Sequence, residues 1–434
     1  MPSVTAVLSL LAAIRARRRE QWLSPEQLRT LRLSRLRAVA AAAARTPYWA
    51  AVFERAGVRP ETIDEGPGLE RLPILEKSTL QEQVDGMLAV PVTRLFAMYS
   101  SGSTGRPVAV YRSEREQAAV SALHARIWGA YGRRPFDRQV SIGSGHPAAE
   151  RGPVAMLRRS GLIPAMHRLS SFDPLSIQVA ALRRIKPDTL NGYAVAIEQL
   201  AEAVIESGVR DIRPRLVYTG SMTTSERCRR LVQEAFGVRP LDVYATMETG
   251  PLAWECPESP GDYHLNDDVQ LLEIVDDRGR RVPDGETGEV VITPLTALAH
   301  PLFRYRLGDL AARRTYRCRC GRGLALMGQV EGRITEIIRI GDGRALNSAL
   351  LGACFSDYKE IRRWQAHQTG PDTLRILLMT TPAWTEQTRD AVLATTRGLL
   401  GDGVRVDLMV VEEIPLAPNG KFQTMVPLAR ETAG

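Results

Sequence analysis

The chain has 434 residues, 44% of them apolar and 24% charged, which allows a large core, suggests two or three domains and is ordinary for a soluble globular protein. Its net charge of +8 is carried almost wholly by arginine, because only four lysines occur: Lys77, Lys186, Lys359 and Lys421. The arginines are spread along the chain and aromatics make up 6%, which argues against the basic stripe with stacking rings that nucleic-acid binding requires.

No apolar run reaches the ~18–20 residues that span a bilayer. The opening "MPSVTAVLSLLAAIRARRRE" places its basic cluster after the apolar run, the reverse of a secretory signal. A cytoplasmic protein without nucleic-acid or membrane partners is expected. Five cysteines (Cys228, Cys256, Cys318, Cys320, Cys354) in so long a chain make no disulfide framework and read as buried thiols or metal ligands.

Residues 24–57 look helical, and "LPILEKSTL" (72–80) reads as an extended stretch leading into a helix start. The middle of the chain alternates. "QVSIGSG" (139–145) is a strand, and "PDTLNGY" (187–193) an extended segment feeding a helix over Ala194–Ser207. "RLVYTGS" (215–221) is a strand before a helix over Thr224–Phe236, and "RPLDVYATMETG" (239–250) is strand then loop. Such alternation predicts a mainly parallel sheet. From about residue 268 short strands with the turn signals "DDRG" and "PDGETG" predict an antiparallel β layer. The last hundred residues restart as a small α+β unit. The expected fold class is therefore α/β, with a large N-terminal domain over 1–332 and a small C-terminal α+β domain over 333–434.

Several polar loops fall where open α/β sheets bind ligands, beyond the carboxyl ends of strands. "SSGSTG" (Ser100, Ser101, Gly102, Ser103, Thr104, Gly105) offers backbone amides and hydroxyls that could line an anion-binding concavity or form a plain turn. It lacks the Walker pattern. Gly220-Ser221-Met222 and Tyr244–Glu248 follow two further strands. Glu248, the only carboxylate of "YATMETG", is placed where a Mg²⁺ bridging phosphates wants an oxygen ligand. Asp309 in "RYRLGDL" suits vicinal ribose hydroxyls. Arg333 lies in the boundary segment, and Lys421 in "PNGK" suits transient stabilisation of negative charge.

In this order the segments resemble the adenylate-forming enzymes, acyl-CoA synthetases and their relatives. The nearer pattern is phenylacetate–CoA ligase with its capsule-locus and deazaflavin-cofactor-adenylating relatives. "LPILEKSTL", "SSGSTGRP", "KPDTLNGY", the run 218–250, "PDGETGEVVITPL", "RYRLGD", "GR-x-x-E-x-I" and "PNGK" carry the resemblance over nearly the whole chain. It implies that Ser100–Gly105 grip the ATP phosphates. Gly220, Ser221 and Met222 would wall adenine and substrate, and Tyr244 would pack on adenine. Glu248 would serve the metal and Asp309 and Arg333 the ribose side; either Thr246 stands in for the phosphate-facing hydroxyl that Met247 replaces, or phosphate handling is altered. Lys421 would bridge the carboxylate and the α-phosphate.

A carboxylate would attack ATP to give an acyl adenylate and pyrophosphate, and coenzyme A would then displace AMP, with the small domain mobile between the two steps. The substrate implied is an aromatic or arylacetic acid, with Tyr131 and His146 facing its pocket. An acceptor other than coenzyme A (amine, hydroxyl, carrier-protein thiol), AMP transfer, or a non-catalytic nucleotide-binding relative are the alternatives, and a homodimer is left open.

Four positions depart from the pattern. Arg106 stands for the usual Lys, Met247 for a hydroxyl residue and Thr335 for the hinge Asp or Lys, while "GDGRALN" lacks a longer glycine stretch. Finally, Cys256-x7-His264 and Cys318-x-Cys320 supply three thiolates and an imidazole. They suit a closed, structural Zn²⁺ site, against the plainer reading of reduced, packed cysteines. The resembled relatives carry cysteines at similar places.

Overall fold

Two long helices begin at reciprocal side-chain caps. Ser24 accepts from the Gln27 amide while the Gln27 side chain accepts from Ser24, and Pro25 then opens α2 (Pro25–Ala43). The same reciprocal pair, Ser113 with Glu116, starts α6 (Glu114–Ala130). Between them lie α3 (Pro47–Ala56), α4 (Pro67–Glu70) and α5 (Lys77–Met87); α1 (Val4–Glu20) precedes them all.

The computed structural model describes residues 4–99, 108–134, 136–143, 166–341, 344–346, 348–355, 357–401, 403–414 and 422–428. The chain divides into two compact units, one of residues 1–224, 228–307 and 311–329, the other of 225–227, 308–310 and 330–434.

The first unit is built on an eight-stranded sheet. Five strands are parallel: β3 (Gln139–Gly143), β4 (Met166–Ser170), β5 (Thr189–Tyr193), β6 (Leu216–Gly220) and β7 (Leu241–Thr246). β8 (Gly250–Cys256), β9 (Ser259–Leu265) and β13 (Leu326–Met327) extend it antiparallel, giving the order β13-β9-β8-β7-β6-β5-β3-β4.

Strand alternation sends Val140, Ile142, Leu190 and Val217 to one face, where they pack with the helices Leu175–Ile185, Ala194–Glu206 and Glu226–Phe236. The opposite face carries Leu216, Leu241, Val243 and Trp254 against Ile127 of α6 and Leu28 of α2. A hairpin of β1 (Phe96–Tyr99) and β2 (Ala109–Arg112) pairs Tyr99 with Ala109. A second layer holds β10 (Gln270–Val275), β11 (Thr287–Pro294) and β12 (Tyr305–Ala312). Within the eight-stranded sheet antiparallel pairing begins at Gly250, earlier than the sequence suggests. All seven residues of β8 are buried, so no polar alternation marks that strand. The third helix on the first face starts at Glu226, two residues after the expected Thr224.

α1 is locked to α6 by buried charge. Asp268, just before β10, accepts from Arg17 at 2.8 Å and from Arg126 at 2.6 Å, and Arg126 also reaches the Arg17 carbonyl.

In the second unit β17 (Ile361–Gly370), β18 (Thr373–Thr380), β19 (Arg405–Val410) and β20 (Met425–Val426) form a sheet in the order β19-β18-β17-β20. The helix Glu386–Leu400 covers it, and Val392, Leu400, Leu374, Ile376 and Leu378 share one core. Gly308–Leu310 of β12 belong to this unit and pair with β14 (Gly332–Arg333). Cys228 and Cys354 lie in the two units' apolar cores as packing residues.

Candidate active site

Gly220 sits opposite Val243, so β6 ends beside the middle of β7; Ser221 leaves the sheet there, while Tyr244 stays in β7 paired with Ala253 of β8 and the turn bearing Glu248 follows Thr246. Ser221 has φ 66°, a left-handed backbone that an L-residue rarely takes and that concentrates at functional turns. A Cβ on Gly220 would lie 3.2 Å from the Val243 carbonyl. Ser221 is exposed, while Met222, Tyr244, Thr246 and Glu248 are half-buried. The sequence's candidates from these two loops are therefore brought together.

The turn between β7 and β8 is held from within and from outside. Thr246 Oγ1 lies 2.9 Å from Thr249 Oγ1 and accepts from the Thr249 amide, so this hydroxyl is already engaged inside the turn. From β2, Arg112 Nη2 donates to the Met247 carbonyl at 2.7 Å. Arg112 is buried; burial lowers its pKa while Glu116 and Glu248 act against that. Glu116 is in turn fixed by the Ser113 amide and hydroxyl and by the Ala299 amide. Sequence reasoning missed Arg112. Its partner is a backbone carbonyl 135 residues away, and such a bond leaves no trace in residue spacing.

In the second unit Asp309 is buried and Arg333 Nε donates to its Oδ1 at 3.0 Å, the two standing opposite each other on β12 and β14. Glu336, one turn on, is pushed up to about 7 by burial, against Arg333 and with Asp309. Ser100, Ser101, Gly102, Ser103, Thr104, Gly105, Arg106, His146 and Lys421 lie outside the described residues. Tyr131 terminates α6 inside the core. Its hydroxyl donates to the Asp242 carbonyl at 2.9 Å and its ring packs against Trp254 and Tyr218. That position is a core position rather than an open pocket wall, because the last turn of α6 directs it between sheet and helix.

Cys256 of β8, His264 of β9 and Cys318 and Cys320 of the loop between β12 and β13 converge, with donor atoms all within 4.8 Å of one another. His264 Nε2 is 3.2 Å from Cys320 Sγ, and the Cys256 and Cys318 sulfurs are 3.6 Å apart. Three soft sulfurs and one imidazole nitrogen, on antiparallel strands and a tight loop, match the donor set of a closed tetrahedral metal site. The loop is anchored beyond the cluster. Arg322 stacks over Trp22 and Trp254, and its Nε donates to Gln21 at 3.0 Å. Gly323 passes so close to the Leu23 carbonyl that any side chain would collide with it.

The two-unit α/β architecture is that of the adenylate-forming ligases. A crystal structure of 2-hydroxyisobutyryl-CoA ligase in the postadenylation state matches with a TM-score of 0.80 at 22% identity, covering 95% of this chain and 92% of that one. The profile of the AMP-binding enzyme family matches residues 5–295, more than half of the 434 residues. A phenylacetate–coenzyme A ligase of Thermus thermophilus is 31% identical over 339 residues, 74% of this chain and 73% of the relative. The protein CapK of Staphylococcus aureus is 22% identical over 248 residues, 56% of this chain and 53% of that protein. The chain belongs to the AMP-binding enzyme family, in its phenylacetate–CoA ligase-like branch. Among the described residues no helix is long and apolar enough to cross a membrane.

Proposed function

We propose that the protein activates an aromatic or arylacetic acid with ATP to the acyl adenylate and transfers the acyl group to coenzyme A. The single observation that carries this reading is the 31% identity to a phenylacetate–coenzyme A ligase over about three quarters of both chains. The chemistry needs no general base, because a carboxylate is already a nucleophile. Positioning and neutralisation of phosphate charge supply the acceleration.

In this reading Ser100–Gly105 grip the β- and γ-phosphates and Gly220, Ser221, Met222 and Tyr244 receive adenine. Asp309 and Arg333 hold the ribose, and Lys421 neutralises the reacting carboxylate and α-phosphate. Glu248 would hold Mg²⁺, which when bound shields the triphosphate. The placement of Ser221 just past β6, with Tyr244 in the neighbouring β7 and Glu248 in the turn after it, supports their share of this reading. Residues 1–332 would form the adenylation domain and 333–434 a mobile lid. Zn²⁺ on Cys256, His264, Cys318 and Cys320 would brace the fold, a role suited to four protein ligands that leave no open position.

Pyrophosphate release across a panel of aryl acids, with and without coenzyme A, tests the reading. Release with formation of the thioester is expected. Release without thioester would move the acceptor to an amine, hydroxyl or carrier thiol. Tight ATP binding with no release for any acid would leave a nucleotide-binding protein.

A further inference from the structure

His300 lies in the segment between β11 and β12, and its chain neighbours are pinned on both sides. The Ala299 amide donates to Glu116 at 2.7 Å, and the Ala299 carbonyl accepts from the Ala89 amide at 2.9 Å. The Pro301 carbonyl accepts from the Trp49 indole at 2.9 Å. His300 itself is fully buried, with its ring 5.9 Å from that of Tyr111.

One hydrogen bond decides the state of this imidazole. The Tyr111 amide of β2 donates to His300 Nδ1 at 3.2 Å. A backbone N–H can only donate, so Nδ1 is bare and the one proton of the neutral ring sits on Nε2. Turning the ring over would set a carbon against the Tyr111 amide, so the same bond fixes the orientation. Burial lowers His300 to about 4, which also keeps the ring neutral. Nε2 is therefore a donor, and among the described residues it meets no acceptor. An N–H left unpaired in the interior is costly.

This N–H belongs to the wall of a cavity of about 20 Å³ between β2, α6 and the β7–β8 turn, room for one water. Arg112, Glu116 and Glu248 line it as well. Two of the three are already committed. Arg112 is spent on the Met247 carbonyl and on Gln117, and the Glu116 oxygens are taken by Ser113 and Ala299. No described residue donates a hydrogen bond to the Glu248 carboxylate. A cation in the cavity would face the N–H and Arg112, and an anion would face two carboxylates. A neutral water suits both sides, because it can accept from Nε2 and donate to Glu248.

We propose that one buried water in this cavity joins His300 Nε2 to the Glu248 carboxylate, which makes His300 a positioning residue for Glu248. The inference rests on the adenylation reading, in which Glu248 holds Mg²⁺, and adds the group that holds Glu248. A partner behind a ligating carboxylate fixes its orientation and raises its affinity for metal. Through Tyr111 the same imidazole also grips β2, so hairpin and turn are set by its two nitrogens separately.

Two substitutions separate those nitrogens. In His300→Asn the amide oxygen replaces Nδ1 as the acceptor for Tyr111, and the donor toward the cavity is lost. In His300→Gln the amide nitrogen replaces Nε2, and the acceptor for Tyr111 is lost. Binding of Mn²⁺ to the full chain with α,β-methylene ATP, followed by electron paramagnetic resonance, reads metal affinity without turnover. His300→Asn is expected to weaken Mn²⁺ binding about tenfold or more. His300→Gln is expected to bind Mn²⁺ like the wild type while unfolding at lower urea. In the wild type, NMR of isotope-labelled histidine should show His300 as the Nε2–H tautomer, with a cross-relaxation peak from that proton to water.

An Nδ1–H tautomer, no water contact at Nε2–H, unchanged Mn²⁺ affinity in folded His300→Asn, or equal loss in both variants would overturn the proposal. Wild-type protein that binds no Mn²⁺ with the nucleotide overturns it together with the metal role of Glu248. Pyrophosphate release across the acid panel, with no difference in Mn²⁺ affinity between the variants, overturns this inference alone. The expected split in Mn²⁺ affinity, without pyrophosphate release for any acid, overturns the adenylation reading alone.

Discussion

Arg112 Nη2 lies 2.7 Å from the carbonyl oxygen of Met247, tying strand β2 to the turn that presents Glu248. The bond comes from a buried guanidinium, so it is charge-assisted and shielded from water. It acts on the backbone of the residue next to Glu248 and therefore fixes where that carboxylate points.

Replacing Arg112 with Met should accordingly loosen the turn without emptying a large volume. Losing a buried charge-assisted hydrogen bond is worth about 1.5–3 kcal/mol. The KM for MgATP should rise about tenfold or more, and the Mg²⁺ concentration for half-maximal activity should rise with it. Steady-state kinetics with Mg²⁺ titration check this. A variant with lower kcat but unchanged Mg²⁺ dependence would show that Arg112 does not act through Glu248.

Asp268 is enclosed by Arg17 and Arg126, and Arg126 has a fully buried side chain. Although burial alone would raise it, these guanidiniums hold its carboxyl well below the usual carboxylate range. Asp268→Ala leaves Arg126 buried without its carboxylate partner, a change that costs about 3–5 kcal/mol. Urea unfolding should show that loss, and limited proteolysis should cut α1 first. For a depressed pKa the stabilisation is full above the unfolded-state value and is lost as pH falls toward the folded one. The wild-type advantage over the variant should thus shrink only under strongly acid conditions.

β3, β5, β6 and β7 could be read in the sequence from apolar residues ended by Gly or a polar turn, whereas the edge strand β4, "MHRLS", is largely exposed, carries no apolar run and could not be read in this way. β8 could not, since both its faces are buried and "PLAWEC" carries no period of two. The loops after β6 and β7 were legible as polar strand ends, and the structure places them at the same ends of two neighbouring parallel strands. The convergence of Cys256, His264, Cys318 and Cys320 was suggested by residue type alone, as the chain distance between the two pairs encodes nothing about geometry. Arg112 stayed hidden because its meaning lies in the Met247 carbonyl it reaches from another hairpin, and in one dimension it looks like an ordinary strand residue.

The metal cluster makes a separate prediction. Protein prepared without chelator should contain about one equivalent of Zn²⁺ per chain by elemental analysis. Stripping it should lower Tm by several degrees, and adding Zn²⁺ should restore Tm. Cys318→Ser should abolish both the bound metal and the restoration. Because Arg322, two residues beyond Cys320, stacks on Trp22 and bonds Gln21, metal loss should also speed hydrogen exchange in the segment joining α1 to α2. Less than about half an equivalent would instead favour packed, reduced cysteines.

The last prediction concerns Asp242, buried under the β6–β7 loops. Tyr263 donates to its Oδ2 at 2.9 Å, and Glu255 stands close enough to receive the Asp242 amide at 3.2 Å. Burial pushes Asp242 up to about 6; the Tyr263 hydroxyl opposes this, Glu255 adds to it and Arg229 opposes it. An unfolded aspartate titrates near 3.9, so between roughly pH 4 and 6 the folded state binds the additional proton. Stability contributed by this group is therefore greatest below pH 4, falls as pH rises through that window and is level above it. The span corresponds to on the order of 2–3 kcal/mol. Asp242→Asn cannot ionise yet can still accept from Tyr263. The variant should gain on the wild type progressively from about pH 4 to 6, and urea unfolding at several pH values would show the two curves diverging. Parallel curves would mean that Asp242 ionises in the folded state as readily as in the unfolded one.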